Sequence, residues 1–144
     1  MVLENKIIDI LIKMKLQIKK SKTFSDKTGS LLPFYKNDTF KNFKLERFFF
    51  VYGKKKYFRA DHAHKKCKQI LIPIKGLMQV DVTTVKKKTK KFLLSHKKNN
   101  YLTVPAKHWL RLKFKDRDGI ILILCDYKYD KKEYIQKISE FYNQ

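Results

Sequence analysis

Short apolar runs separated by polar or basic breaks follow one another along the chain from residue 43 onward. In the third run, Met78, Val80 and Val82 alternate with polar residues, which is typical of a strand with one buried face. Seven or more short strands at this spacing indicate an all-β sandwich or barrel. The runs cover residues 43–52, 69–74, 77–85, 90–94, 101–104, 109–114 and 120–127.

The chain before residue 43 is less regular. Residues 3–12 fit a helical stripe and residues 10–18 fit strict alternation, so the pattern leaves both open. With 144 residues and a hydrophobic fraction of 43%, the chain is long and apolar enough for one domain, predicted over residues 14–144. An N-terminal arm is expected over residues 1–13. The domain itself is expected to begin with a strand near 14–18 and another over 30–35.

Turn residues predict where the strands reverse. Pro73 lies inside an apolar run and is tolerated only at a sheet edge or a bulge. Gly76 precedes the next run, and Asp118-Gly119 separates two others, so both positions predict hairpin turns.

The end of the chain predicts a helix. Asp130 followed by Glu133 resembles a capping box, with Asp in place of Ser or Thr. The apolar residues after it repeat at steps of three and four, which predicts an amphipathic C-terminal helix packed on the β body. They are Tyr134, Ile135, Ile138, Phe141 and Tyr142.

The net charge of +22 is the unusual feature of the composition and suggests a nucleic-acid partner. However, only four of the 35 basic residues are arginines, the residue best suited to bidentate phosphate and base contacts. The lysine runs fall mostly at breaks between strands, where a solvated surface is expected. We therefore predict no nucleic-acid partner, and keep a lysine-rich module binding nucleic acid or a polyanionic glycan as the alternative. The arginines are Arg47, Arg59, Arg111 and Arg117.

Two cysteines, Cys67 and Cys125, are too few for a disulfide framework, and neither belongs to a CxxC zinc motif. A reduced, cytoplasmic chain is the simplest interpretation. The apolar run 7–12 is far shorter than a membrane span and has no cleavage site after it, so no membrane association is predicted.

His62 and His64 are the candidate chemistry, because residues two apart on a strand point to the same face. Three interpretations compete: surface imidazoles, a metal site, or metal-free acid–base catalysis. A metal would need further ligands, but Gln69 stands where a carboxylate is wanted and His108 fits poorly. On a regular strand Arg59 does not share the face of His62, so the two can act together only if a turn or bulge lies between them.

The segment 59–69, with its core His62-Ala63-His64-Lys65-Lys66, resembles the RGxHAHKK signature of sugar nucleotide 3,4-ketoisomerases. The resemblance runs in order over about residues 14–142. Its other elements are Gly29-Ser30-Leu31, Gln69-Ile70-Leu71-Ile72 before Gly76, Pro105 with Trp109, and Tyr129-Asp130 with Glu133-Tyr134-Ile135 and Glu140-Phe141.

The resemblance implies a small cupin jelly roll, usually a homodimer with exchanged N-terminal strands. It implies an enzyme that moves the ketone of dTDP-4-keto-6-deoxy-D-glucose from C4 to C3 through an enediolate, without metal or redox cofactor. The product would serve the biosynthesis of 3-amino-3,6-dideoxy sugars of bacterial surface glycans. A related nucleotide-sugar epimerase is the alternative within enzymes.

The resemblance also implies roles for individual residues. His62 is expected to be the base that opens the reaction, and His64 its partner in proton transfer. Arg59 and Lys65 are expected to bind the pyrophosphate, while Gln69 and Trp109 belong to substrate-binding elements of the family.

Two departures from the family matter for the site. Ala60 stands where relatives usually have Gly, and phenylalanines occupy the strand before the histidines, where relatives often have tyrosines. A phenolic hydroxyl from that strand is therefore in doubt. The family makes both the galacto and the gluco 3-keto product, and the sequence leaves this choice open.

Overall fold

The computed structural model describes residues 14–144. The predicted arm, residues 1–13, lies outside the described residues. Two five-stranded antiparallel sheets make up the body, and a small separate hairpin follows the first strand of the chain. The all-β prediction is confirmed, and a short helix follows the last strand as expected.

Sheet 1 runs in the order β1 (Gln17–Lys20), β9 (Asn100–Val104), β6 (Gln69–Lys75), β11 (Asp118–Cys125) and β4 (Arg47–Lys54). Sheet 2 runs in the order β12 (Tyr134–Ile135), β5 (Phe58–His64), β10 (Trp109–Phe114), β7 (Leu77–Thr83) and β8 (Thr89–Ser95). The separate hairpin pairs β2 (Phe24–Asp26) with β3 (Gly29–Leu31). Helix α1 covers Ile138–Tyr142, and two 3-10 turns cover His96–Lys98 and Lys131–Glu133.

The apolar faces of the two sheets pack against each other to form the core. Met78, Val80 and Val82 of β7 are fully buried and belong to one cluster with Leu71 of β6 and Ile121 of β11. The alternation along β7 therefore predicts the buried face correctly. This face-to-face packing is the jelly-roll arrangement that the resemblance implies.

Both predicted hairpins are wrong for the same reason. Gly76 lies between β6 and β7, and Asp118-Gly119 begins β11 after β10, but in each case the flanking strands belong to different sheets. The chain crosses between sheets at both points. Gly119 is required instead by packing, because a Cβ there would lie 2.1 Å from the buried ring of Phe114. Gly53, its partner on β4, is under the same constraint.

Pro73 lies in an interior strand and is accommodated by a bulge. On β11, Ile121 pairs with Pro73 and Ile120 with Lys75, so one residue of β6 is left over. Pairing of β6 with β9 ends at Leu71, before the proline. The missing N–H of Pro73 therefore costs the sheet no ladder bond with β9.

The C-terminal segment is only partly helical, so the predicted helix is too long. The Asp130 side chain caps the 3-10 turn, accepting from the Lys132 N–H at 2.9 Å. Tyr134 and Ile135 then extend the edge of β5 as a strand. Only α1 is helical, and its Phe141 is buried against Trp109 on the outer face of sheet 2.

The lysine runs lie on the surface, as expected. Lys54–56 and 86–88 are exposed at turns, and Lys90 and Lys91 are exposed on β8, an edge strand of sheet 2. Charged side chains on an edge strand oppose pairing with another chain. No helix within residues 14–144 is long and apolar enough to cross a membrane.

Candidate active site

A cavity of about 160 Å³ lies between the two sheets. Its lining divides into a polar and an apolar part. The polar residues are Arg59, His62, His64, Gln69 and Tyr134, and the apolar residues are Phe49, Val51, Ala60, Leu110, Leu112 and Ile123. Three of the predicted site residues on β5 thus line one cavity, together with Gln69 from β6.

A bulge in β5 brings Arg59 to the cavity. Opposite β5, Leu110 pairs with His62 and Arg111 with Ala60, so Asp61 is the extra residue. Ala60 and Asp61 both have left-handed backbones, with φ of 65° and 58°. This bulge puts Arg59 and His62 on the same face, as their spacing requires.

The left-handed conformation at Ala60 carries a strain that glycine would relieve. A left-handed residue costs about 1–2 kcal/mol, and the greater chain entropy of Gly offsets about 0.5–1 kcal/mol of the gain. We therefore expect Ala60→Gly to raise the free energy of unfolding by up to about 1 kcal/mol, measured from the urea midpoint. Ala63→Gly, in the regular part of β5 and fully buried, is the control and should lower it. A destabilised Ala60→Gly variant would contradict the assigned backbone.

Asp61 anchors the bulge from outside the cavity. Its Oδ1 accepts the indole N–H of Trp109 at 3.1 Å and lies 3.2 Å from Nε of Arg111. The Arg111 guanidinium in turn lies over the Phe58 ring, 3.9 Å from its centroid. These contacts fix the strand on both sides of the bulge.

The two histidine side chains touch. The Nε2 atoms of His62 and His64 are 3.2 Å apart, and their rings meet edge to face. His64 is 4% exposed, whereas His62 is half-buried, and both line the cavity. A proton on either Nε2 can therefore be shared with the other ring.

Glu133 holds His64 from the side away from His62. Its Oε2 lies 2.5 Å from Nδ1 of His64, and its Oε1 accepts the backbone N–H groups of Lys66 and Cys67 at 2.7 and 2.8 Å. The carboxylate accepts Nδ1–H of His64, so the Nε2 atom of the neutral ring is free to accept a proton. Glu133, His64 and His62 thus form a hydrogen-bonded chain that ends at the cavity.

Burial controls the charge of these groups. It lowers the pKa of His62, and the neighbouring His64 ring lowers it further. Burial also lowers the pKa of His64, against the opposing effect of Glu133. Burial alone would raise the pKa of Glu133, but the N–H of Cys67 and the His64 ring outweigh it and hold it below its ordinary value. At neutral pH the site therefore holds a carboxylate and two imidazoles able to accept a proton.

Residues 14–144 match the sequence model of the family described as FdtA, WxcM-like, C-terminal. The chain belongs to this family. The comparison with curated protein sequences finds no match.

Solved structures resemble the chain over most of its length. A 3,4-ketoisomerase from Helicobacter canadensis is 25% identical, with a TM-score of 0.79, covering 91% of this chain and 97% of that one. WlaRA, a TDP-fucose-3,4-ketoisomerase from Campylobacter jejuni, is 28% identical, with a TM-score of 0.76 and coverages of 90% and 95%. QdtA from Thermoanaerobacterium thermosaccharolyticum, solved in complex with TDP, is 24% identical, with a TM-score of 0.80. The match covers 89% of this chain and 92% of QdtA, and it supports the fold.

Two residues predicted from the resemblance to sugar nucleotide 3,4-ketoisomerases, Trp109 and Lys65, do not line the cavity. Leu110 and Leu112 of β10 point inward, so Trp109 points to the outer face, where it packs beside Ala63 and α1. Trp109 is linked to the site only indirectly, because its indole N–H donates to Asp61 in the bulge of β5. Lys65 is exposed just after β5, and its backbone N–H donates to the Glu133 carbonyl at 2.9 Å.

Three residues that the sequence did not indicate as part of the site, Glu133, Tyr134 and Arg47, lie beside the histidines or contact residues that do. The Tyr134 ring lies 4.9 Å from that of His62 and 4.4 Å from that of His64, and its hydroxyl accepts from Nη2 of Arg47 at 3.0 Å. Burial raises the pKa of Tyr134 despite Arg47, so the hydroxyl stays protonated. Two signals pointed here: the family motif contains Glu133-Tyr134, and Arg47 is one of only four arginines. The motif containing Glu133 and Tyr134 was interpreted as the start of the C-terminal helix, so it did not indicate a site.

Proposed function

We propose that the chain is an isomerase of dTDP-4-keto-6-deoxy-D-glucose that forms a dTDP-3-keto-6-deoxyhexose. The observation that carries the proposal is the chain of Glu133, His64 and His62 ending in a small cavity. A ketone shift between adjacent carbons needs a group that removes one carbon-bound proton and supplies another. In support, the similar protein from Helicobacter canadensis is a 3,4-ketoisomerase and WlaRA from Campylobacter jejuni is a TDP-fucose-3,4-ketoisomerase.

The proposed reaction starts at C3 of the sugar. A neutral His62 takes the C3 proton, and the electrons of that bond form a C3–C4 double bond while the C4 carbonyl becomes an enolate oxygen. The hydroxyl proton then passes from O3 to O4. The imidazolium returns a proton to C4, and the C3 oxygen closes to a ketone, so atoms and charge balance. His64 shares the transferred proton through its 3.2 Å contact with His62.

Arg59 is the cation best placed for the charged parts of the reaction. It lines the cavity and is exposed to solvent, so it can contact a phosphate group that extends out of the cavity. We assign it to the pyrophosphate or the developing enediolate, since guanidinium binds both through charge-assisted hydrogen bonds. Lys65 is proposed as a second phosphate contact from the adjacent loop, and Gln69 as a hydrogen-bond partner of a sugar hydroxyl.

Incubation with dTDP-4-keto-6-deoxy-D-glucose in deuterated water tests the proposal. We expect NMR to show a 3-keto product, with deuterium on C4 in the turnovers in which the imidazolium exchanges its proton with solvent before returning one to the sugar. Deuterium on C5 instead would indicate an epimerase, and no change in the sugar would refute catalysis on this substrate. A boiled sample controls for spontaneous exchange.

Arg59→Gln should raise KM for the nucleotide sugar by at least about tenfold, because one charge-assisted pair with phosphate contributes about 1.5–3 kcal/mol. Arg117→Gln is the matched control, since Arg117 is exposed in the link between β10 and β11. Initial rates over a range of substrate concentrations give both KM values. Equal values for the two variants would remove Arg59 from substrate binding.

The proposal includes a homodimer that exchanges N-terminal strands, in the cytoplasm, serving the synthesis of amino sugars for surface glycans. In support, the β2–β3 hairpin exposes Phe24 and Leu31, which are 47% and 64% accessible. The outer face of β4 also exposes Phe48 and Tyr52. Apolar surface of this kind is typical of an interface. Light scattering of the protein as it elutes from a size-exclusion column should give a mass twice that of one chain, which is 17.4 kDa.

A further inference from the structure

The groups that can carry a proton lie on one wall of the cavity. His62 and His64 come from β5 and Tyr134 from β12, which are neighbours in sheet 2. Glu133, which supports them, lies just before β12. A sugar ring in the cavity therefore meets these groups on the side facing sheet 2.

The wall from sheet 1 offers no such group among the described residues. It consists of Phe49 and Val51 from β4, Ile123 from β11 and Gln69 from β6. Hydrocarbon side chains neither accept nor donate a proton, and the side-chain amide of Gln69 does not titrate in the ordinary pH range. Among the described side chains, a sugar ring between the two walls therefore has no proton donor or acceptor on its sheet 1 side.

We infer that the C3 proton leaves and the C4 proton arrives on the same face of the sugar, and that the product has the galacto configuration at C4. The inference rests on the proposed function and deepens it. The wall of Phe49, Val51 and Ile123 would act as the determinant of product stereochemistry, because it denies a proton donor to the opposite face.

The configuration of the substrate fixes which product follows. In dTDP-4-keto-6-deoxy-D-glucose, the C3 hydroxyl lies above the mean ring plane, so the C3 hydrogen lies on the lower, α face. The base on sheet 2 must face that side. Delivery of a proton to C4 from the same side leaves the new hydroxyl above the plane, which is the galacto arrangement. Delivery from the sheet 1 side would give the gluco arrangement.

The test is the C4 configuration of the first product formed by the wild-type protein. Early time points of the reaction with dTDP-4-keto-6-deoxy-D-glucose in ordinary water are followed by proton NMR. We expect a small coupling between H4 and H5, because H4 is equatorial in the galacto product. A large axial–axial coupling would show the gluco product and overturn the inference, while leaving the proposed isomerase intact.

Two further outcomes are decisive. A mixture of both epimers from the earliest time point would also overturn the inference, since it requires access to both faces. No 3-keto sugar of either configuration would refute the proposed function and the inference with it.

Discussion

We expect His62→Asn to lower kcat on dTDP-4-keto-6-deoxy-D-glucose by about 100- to 10,000-fold, the range typical of a lost general base. His62 lines the cavity and is the more exposed member of the pair. Asparagine has a similar size and polarity but cannot take up the C3 proton. The measurement is the rate of 3-keto product formation by NMR, with substrate well above KM.

His64→Asn should reduce kcat less than His62→Asn, because His62 can still remove the first proton. What is lost is the partner that shares the proton over 3.2 Å. The matched control is His108→Asn: the Nδ1–H of His108 donates to the Ala106 carbonyl at 2.9 Å, and the side chain does not line the cavity.

Unchanged turnover in His62→Asn would remove His62 from the mechanism, and unchanged turnover in both variants would remove the pair. Equal losses in His62→Asn and His108→Asn, accompanied by lowered urea midpoints, would show that the histidines act through stability. Circular dichroism of each variant separates that outcome from a catalytic one.

The strands and their buried faces were predictable from the sequence, since the alternation along β7 marks its inward residues directly. The partners of each strand were not. Gly76 and Asp118-Gly119 satisfy the local requirements of a hairpin, yet the chain crosses between sheets at both places. Turn chemistry is local, whereas sheet membership depends on contacts distant in the sequence.

The candidate site shows the same division. The shared face of His62 and His64 follows from strand geometry alone. The bulge after Arg59 follows from that geometry together with the role that the resemblance gives to Arg59, and the structure has both features. Glu133 could not be placed in the same way, because it is 69 residues from His64. Its capping pattern after Asp130 fits a local role equally well, and only tertiary packing turns the carboxylate inward.

Because Glu133 holds His64 in place, we expect its replacement to cause a second large loss of kcat. In Glu133→Gln, the amide oxygen can still accept the N–H groups of Lys66 and Cys67, which turns the amide NH2 toward Nδ1 of His64. His64 must then carry its proton on Nε2, and it can no longer accept one from His62. We expect kcat to fall on the order of 100-fold, with KM changed little because Glu133 does not line the cavity.

The pH dependence distinguishes this positioning role from a structural one. Glu133 opposes the lowering of the pKa of His64 by burial, so its removal should lower that pKa further. The acidic limb of the rate profile should therefore move to lower pH in Glu133→Gln. Glu140→Gln, on the exposed side of α1, is the control and should keep the wild-type profile.

The free energy of unfolding should also depend on pH, in the acidic range where the Glu133 carboxylate becomes protonated. The folded state holds the pKa of Glu133 below its ordinary value. Its contribution to stability is therefore present above the unfolded-state pKa of about 4.3 and is lost as the pH falls through the folded-state pKa. Urea unfolding at neutral and acidic pH should show this loss in the wild type and not in Glu133→Gln. A variant with the wild-type rate profile and the same acid sensitivity would show that Glu133 neither orients His64 nor stabilises the fold as a carboxylate.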